Sequence, residues 1–226
     1  MMIKNKKLSA AWLLFAVWLY GMWAVCELLI VPSLKQSVQN EYLFTFLRDG
    51  VLKNLIWTLP AFLLIKHFRS SLLLDDKQLF SFGKEQAKYL LTGVFLAVFV
   101  LIGSVVRHHG FAVSESFHPS RLMIVLFVGL SEEIVFRGFF LNATLKHTDA
   151  DWKKWLAFGG NALMFLAIHF PIWISEGVFA ANFRSMGFVI VIVLSVLFSV
   201  CTTRSRSLWT AVILHSFYDL MVIVFA

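Results

Sequence analysis

Charge is scarce in this chain, and cysteine scarcer still. Only 15% of the 226 residues are Asp, Glu, Lys or Arg, whereas 59% belong to the apolar set AVILMFWYC. Soluble domains carry about 25% charged and about 45–50% apolar residues, so an ordinary soluble fold is excluded. The two cysteines, Cys26 and Cys201, both fall inside apolar runs, which suggests neither a disulfide framework nor a thiolate metal site. No internal repeat or low-complexity tract interrupts the pattern. Three catalytic signatures are missing too: the metal-binding helix motif H-E-x-x-H, a G-x-S-G around Ser131, and the aspartyl motif G-x-G-D. The net charge of +7 sits in Lys and Arg residues between apolar runs, where it acts on topology and gives no reason to expect nucleic acid as a partner.

What the chain does have is a series of apolar stretches of membrane-crossing length. They run over residues 8–31, 51–65, 89–106, 122–144, 156–175, 187–203 and 208–226. The expected fold class is therefore all-α: a polytopic transmembrane helical bundle of about seven spans, forming a single domain over 1–226. The first run is too long for a signal peptide and lacks a clear small-residue cleavage site. Pro32 is expected to end it, leaving 32–50 as a polar segment along the interface. Lys53 is expected to snorkel to the membrane surface, and Pro60 to kink the short second span. Loops on one side of this scheme hold thirteen Lys and Arg, those on the other five, with Lys53 and Arg137 left inside spans. That asymmetry places the N-terminus in the cytoplasm of a multi-pass protein of the cell membrane.

One stretch breaks the apolar rule. Ser131-Glu132-Glu133-Ile134-Val135-Phe136-Arg137 puts three charges near the middle of the fourth span. Each charged residue at mid-bilayer costs roughly 2.5–3.5 kcal/mol on insertion scales, so the pair of glutamates reads as functional. Glu133 and Arg137 are four apart and can form an ion pair on one helix face, a neutralised pair that holds the helix in place. Glu132 points about 100° away and has no partner on its own helix. Two later spans add His169, and His215 with Asp219 one turn on, while the other four spans are read as offering nothing ionisable at depth. Asp219 is spaced to bond His215 and fix its tautomer. Phe165 lies one turn before His169 and can pack on it.

A carboxylate and two imidazoles in a water-poor cavity can activate water and protonate a leaving group. Glu132, His169 and His215 could equally hold a divalent metal such as zinc; no cofactor is fixed by the residues alone. A lone membrane histidine can instead just bond a neighbouring helix. The loop residues His108, His109 and His118 are read as solvated.

Taken together, Glu132-Glu133-x-x-x-Arg137, Phe165-x-x-x-His169 and His215-x-x-x-Asp219 resemble the three ordered motifs of the CPBP family, the CAAX-processing endopeptidases and bacteriocin-processing or immunity proteins. The resemblance covers about 122–226; the N-terminal spans over 8–106 contribute nothing to it. It implies an intramembrane endopeptidase with a conical helical bundle, in which Glu132 is the water-activating base and His169 its partner. His215 and the last motif residue would stabilise the oxyanion. The last position is Asp219, where prenyl-protein processing members commonly have Asn, so Asp219 is expected to orient His215 or to be protonated. Expected partners are the bilayer and a peptide or membrane-protein substrate. A proton- or ion-coupled transporter and a non-catalytic immunity or scaffold protein are the competing readings; oligomeric state and metal dependence stay open.

Overall fold

The computed structural model describes residues 3–110, 112–114, 117–146 and 148–225. The chain is an all-α bundle with no strand among these residues. Its long helices are α1 (Lys6–Ser37), α2 (residues 41–67), α3 (Lys88–His108), α4 (residues 122–145), α5 (Asp151–Ser175), α6 (Gly187–Ser205) and α7 (Leu208–Phe225). Among the described residues, α1, α3, α5, α6 and α7 are long and apolar enough to cross a membrane. Helices α2 and α4 have the length as well, but they carry the internal charges.

Two boundaries differ from the sequence expectation. Pro32 does not end α1, which continues to Ser37, and α2 begins at Glu41 within the stretch expected to be a polar interfacial segment. A π-helical turn over Cys26–Ile30 stands just ahead of Pro32, and another over Asn54–Thr58 just ahead of Pro60. Each proline thus enters near the start of a fresh α-helical stretch, where its missing N–H removes no bond that is needed. π-turns are rare and concentrate at functional sites. Two more span Phe46–Leu52 on α2 and Ile134–Leu141, the latter immediately after the two glutamates of α4.

Helix α4 is the axis of the bundle. Every residue from 131 to 143 is buried, so this half of the helix is covered on all sides by protein. Phe136, Phe139 and Phe140 fill the space against α1 and α2, with Phe15 stacked on Phe140 at 5.2 Å and Trp57 edge-on to Phe136 at 6.0 Å. On the opposite side α4 packs along α7. There Gly129 allows the close approach: a Cβ at that position would stand 3.2 Å from the Ser216 backbone nitrogen. The far end of α4 is tied to the connection after α2. Asn142 donates to the Leu74 carbonyl at 2.9 Å and accepts from the Leu74 N–H at 2.8 Å, supplying both bonds that a neighbouring strand would. Leu13, Leu14, Val17, Phe95 and Phe99 point outward and are exposed, as expected of a lipid-facing surface.

Candidate active site

The i, i+4 spacing of Ile124, Val128 and Glu132 lines one face of α4, and that face borders a cavity of about 250 Å³. His169 enters from α5, and His215 and Asp219 from α7. Four of the six expected residues therefore share one chamber. The other two, Glu133 and Arg137, lie behind its wall and are fully buried.

Glu133 is a junction. Its Oε1 accepts from Arg137 Nη1 at 2.9 Å, the ion pair expected from the spacing, and lies 2.8 Å from His215 Nδ1. Arg137 in turn donates to the Ser195 carbonyl at 3.0 Å and to its hydroxyl at 2.8 Å, reaching α6. The His215 ring is sandwiched in place by Phe198, stacked at 5.0 Å. The expectation that Asp219 fixes the His215 tautomer is not met. Asp219 Oδ2 stands 3.6 Å from Nε2, beyond hydrogen-bond range, and the nitrogen that is bonded is Nδ1. With Nδ1 held by Glu133, Nε2 faces Glu132 Oε2 at 3.8 Å and the Asp219 carboxylate.

His169 is anchored by the same device. It terminates the first stretch of α5, where the helix breaks before Pro171, and its Nδ1 donates to the Phe165 carbonyl at 2.7 Å. The Phe165 ring packs edge-on against the imidazole at 4.9 Å. Both histidines thus spend Nδ1 on anchoring, and Nε2 is the nitrogen left for the cavity.

The largest departure from the sequence expectation is the partner of Glu132. Lys53 does not snorkel. Its side chain is 5% exposed, and its Nζ donates to Glu132 Oε1 at 2.6 Å. The ammonium lies over two indoles that meet edge to face, with Nζ 4.5 Å from the Trp57 ring centre and 5.7 Å from that of Trp23. Arg48 and Asp49, expected in an interfacial segment, also border the cavity. Arg48 is forked onto Glu27 of α1 by two bonds of 3.1 Å. The N-terminal helices, read as offering nothing ionisable at depth, supply one wall of the chamber. The sequence held a signal for this. Lys53 and Arg137 are the two cations left inside spans, and the insertion cost that made the glutamates read as functional applies to Lys53 as well.

The expected metal ligands do not fit a metal ion. An ammonium already neutralises one oxygen of Glu132 at 2.6 Å, where a second cation would be repelled. No group of three His, Cys, Asp or Glu among the described residues is placed to hold an ion. His118 pairs with Glu41 at 3.0 Å, away from the cavity. A larger hollow of about 410 Å³ between α1 and α5 is lined by apolar and neutral polar side chains such as Trp12, Leu13, Phe140 and Asn161, with no ionisable group to do chemistry.

Residues 114–221, which carry all three motifs, match the family model described as type II CAAX prenyl endopeptidase Rce1-like. This segment is similar to Rce1-like domains. No curated protein and no solved structure matches the chain. The matched segment contains Glu132, Glu133, Arg137, His169, His215 and Asp219. Lys53, Trp23 and Trp57 lie outside it.

Proposed function

We propose that the chain is an intramembrane endopeptidase that hydrolyses a peptide bond of a small or membrane-associated peptide or protein, with water activated by Glu132. The observation that carries this reading is the chamber itself: a carboxylate oxygen, Glu132 Oε2, shares a buried cavity with the two Nδ1-anchored histidines, 3.8 Å from Nε2 of His215. In this mechanism a water held between Glu132 and His169 gives its proton to Glu132 as its oxygen attacks the scissile carbonyl carbon. His215, as the imidazolium, donates Nδ1–H to Glu133 and Nε2–H to the oxyanion that forms. The C–N bond then breaks, and the proton held by Glu132 passes to the leaving amine. Glu133 and Arg137 act behind the wall by fixing His215. No step runs through a metal.

In this reading the protein works in the cell membrane with its N-terminus in the cytoplasm, the orientation that the loop charges favour, and its partners are lipid and the peptide substrate. The test is cleavage by pure protein in detergent, with chelator present. The peptides are a prenylated C-terminal peptide, its unprenylated form and an apolar transmembrane peptide. Wild type should release one new terminus from at least one peptide, and Glu132→Gln from none. Failure of wild type on all three, with the protein folded, would favour the non-catalytic alternative.

A further inference from the structure

Four carboxylates, those of Asp49, Glu132, Glu133 and Asp219, border or back the chamber. Three full cations face them. Arg48 is forked onto Glu27, and Arg137 is committed to Glu133 and Ser195. Of these three, Lys53 is the one that bears directly on Glu132. It is not an accident of a surface chain: the residue is 4% exposed, sits in mid-helix on α2, and sets its ammonium over the indoles of Trp57 and Trp23.

We propose that Lys53 is a positioning residue of the hydrolytic site, a resident cation that holds Glu132 by Oε1 and so turns Oε2 toward the attacking water. This rests on the peptidase reading above and extends it to the N-terminal half of the chain, outside the matched segment. The physical case has three parts. A carboxylate confined in a low-dielectric chamber with other carboxylates needs a compensating charge to stay ionised. The position beside Glu132 where a divalent ion would serve is held by the ammonium. And a carboxylate with one oxygen pinned at 2.6 Å has one orientation left for the other, which faces His215. Orientation of this kind matters to rate, because a misplacement of about 1 Å can cost about a hundredfold.

The experiment measures steady-state hydrolysis per folded protein in detergent for wild type and for variants at position 53. Lys53→Ala should lower kcat about a hundredfold while KM stays within about threefold, the pattern of a group that acts in the transition state and not in substrate binding. Ethylammonium chloride should restore activity to Lys53→Ala, and Lys53→Arg should retain more activity than Lys53→Ala, because each returns a cation to the same oxygen. An unchanged kcat in Lys53→Ala, or a loss that neither ethylammonium nor Arg relieves, would overturn the proposal. If Lys53→Ala folds poorly, the decisive measurement is the Lys53→Met/Glu132→Gln pair. Removing both charges should recover the folded yield that Lys53→Met alone loses, and equal yields in the single and double variants would make Lys53 a packing residue. A wild type that cleaves nothing sinks the peptidase reading itself, and this inference with it.

Discussion

Nδ1 of His215 lies 2.8 Å from Oε1 of Glu133, on a different helix and 82 residues away in sequence. The same oxygen accepts from Arg137 at 2.9 Å, so one carboxylate joins α4 to α7 and, through Arg137, to α6. The second glutamate of the motif is therefore both a structural ion pair and the orienting partner of a cavity-facing histidine. The predictions follow from that arrangement.

Glu133→Gln removes the anion from a fully buried guanidinium and weakens the grip on His215. Breaking one side of a buried pair costs about 3–5 kcal/mol, so the folded yield in membranes should fall sharply. The material that does fold should be poorly active. Both are read by size-exclusion of detergent extracts followed by assay of the monodisperse fraction. A Glu133→Gln protein of normal yield and normal rate would remove the junction role.

Asp219→Asn should behave differently, because Asp219 makes no hydrogen bond to His215. Asn keeps the volume and an acceptor oxygen, and activity per folded protein should stay within about threefold of wild type. A loss as deep as that of Glu132→Gln would mean that the charge of Asp219 takes part in the reaction.

Glu132→Gln should reduce kcat by about a hundred- to ten-thousandfold, the range for loss of a general base. It also leaves Lys53 buried without its anion, so its folded yield should drop as well. Yield and rate must be measured separately, because a rate per total protein would merge the two losses.

Gly129→Val forces a branched side chain against the Ser216 backbone, where a Cβ already stands at 3.2 Å. Overpacking of this kind typically costs about 1–3 kcal/mol. Since Ser216 adjoins His215, thermal stability and activity should fall together, and Gly129→Ala should fall less. Full activity in Gly129→Val would show that the α4–α7 spacing is not critical.

Reporter fusions after Lys88 and after Arg206 should give cytoplasmic signals, and a fusion near Ser114 an exterior one. A cytoplasmic signal at Ser114 would overturn the orientation drawn from the loop charges.

Much of this architecture could be read from local spacing. Glu133 with Arg137 and Phe165 with His169 lie one helical turn apart, so the chain itself determines that they meet. Contacts across helices were not legible in that way. Nothing local links Lys53 to Glu132, 79 residues on, or Glu133 to His215. The misreading of Asp219 has the same origin: spacing made it the obvious partner of His215, and a residue from another helix reached Nδ1 instead. Pro32 misled for a different reason. A proline ends a regular α-helix, but the π-turn over Cys26–Ile30 resets the hydrogen-bond ladder before it arrives.

The Lys53–Glu132 pair also sets a timetable. At translation speeds of roughly 5–20 residues per second, the 79 residues between them separate their synthesis by about 4–16 s. During that interval α2 carries an ammonium into the bilayer with no carboxylate on α4 yet made to receive it. When α4 emerges, Glu133 arrives with Arg137 on the same helix, whereas Glu132 has its ammonium only on α2. The tie between the N-terminal helices and the charged face of α4 therefore forms late, only after most of the first 132 residues have been made.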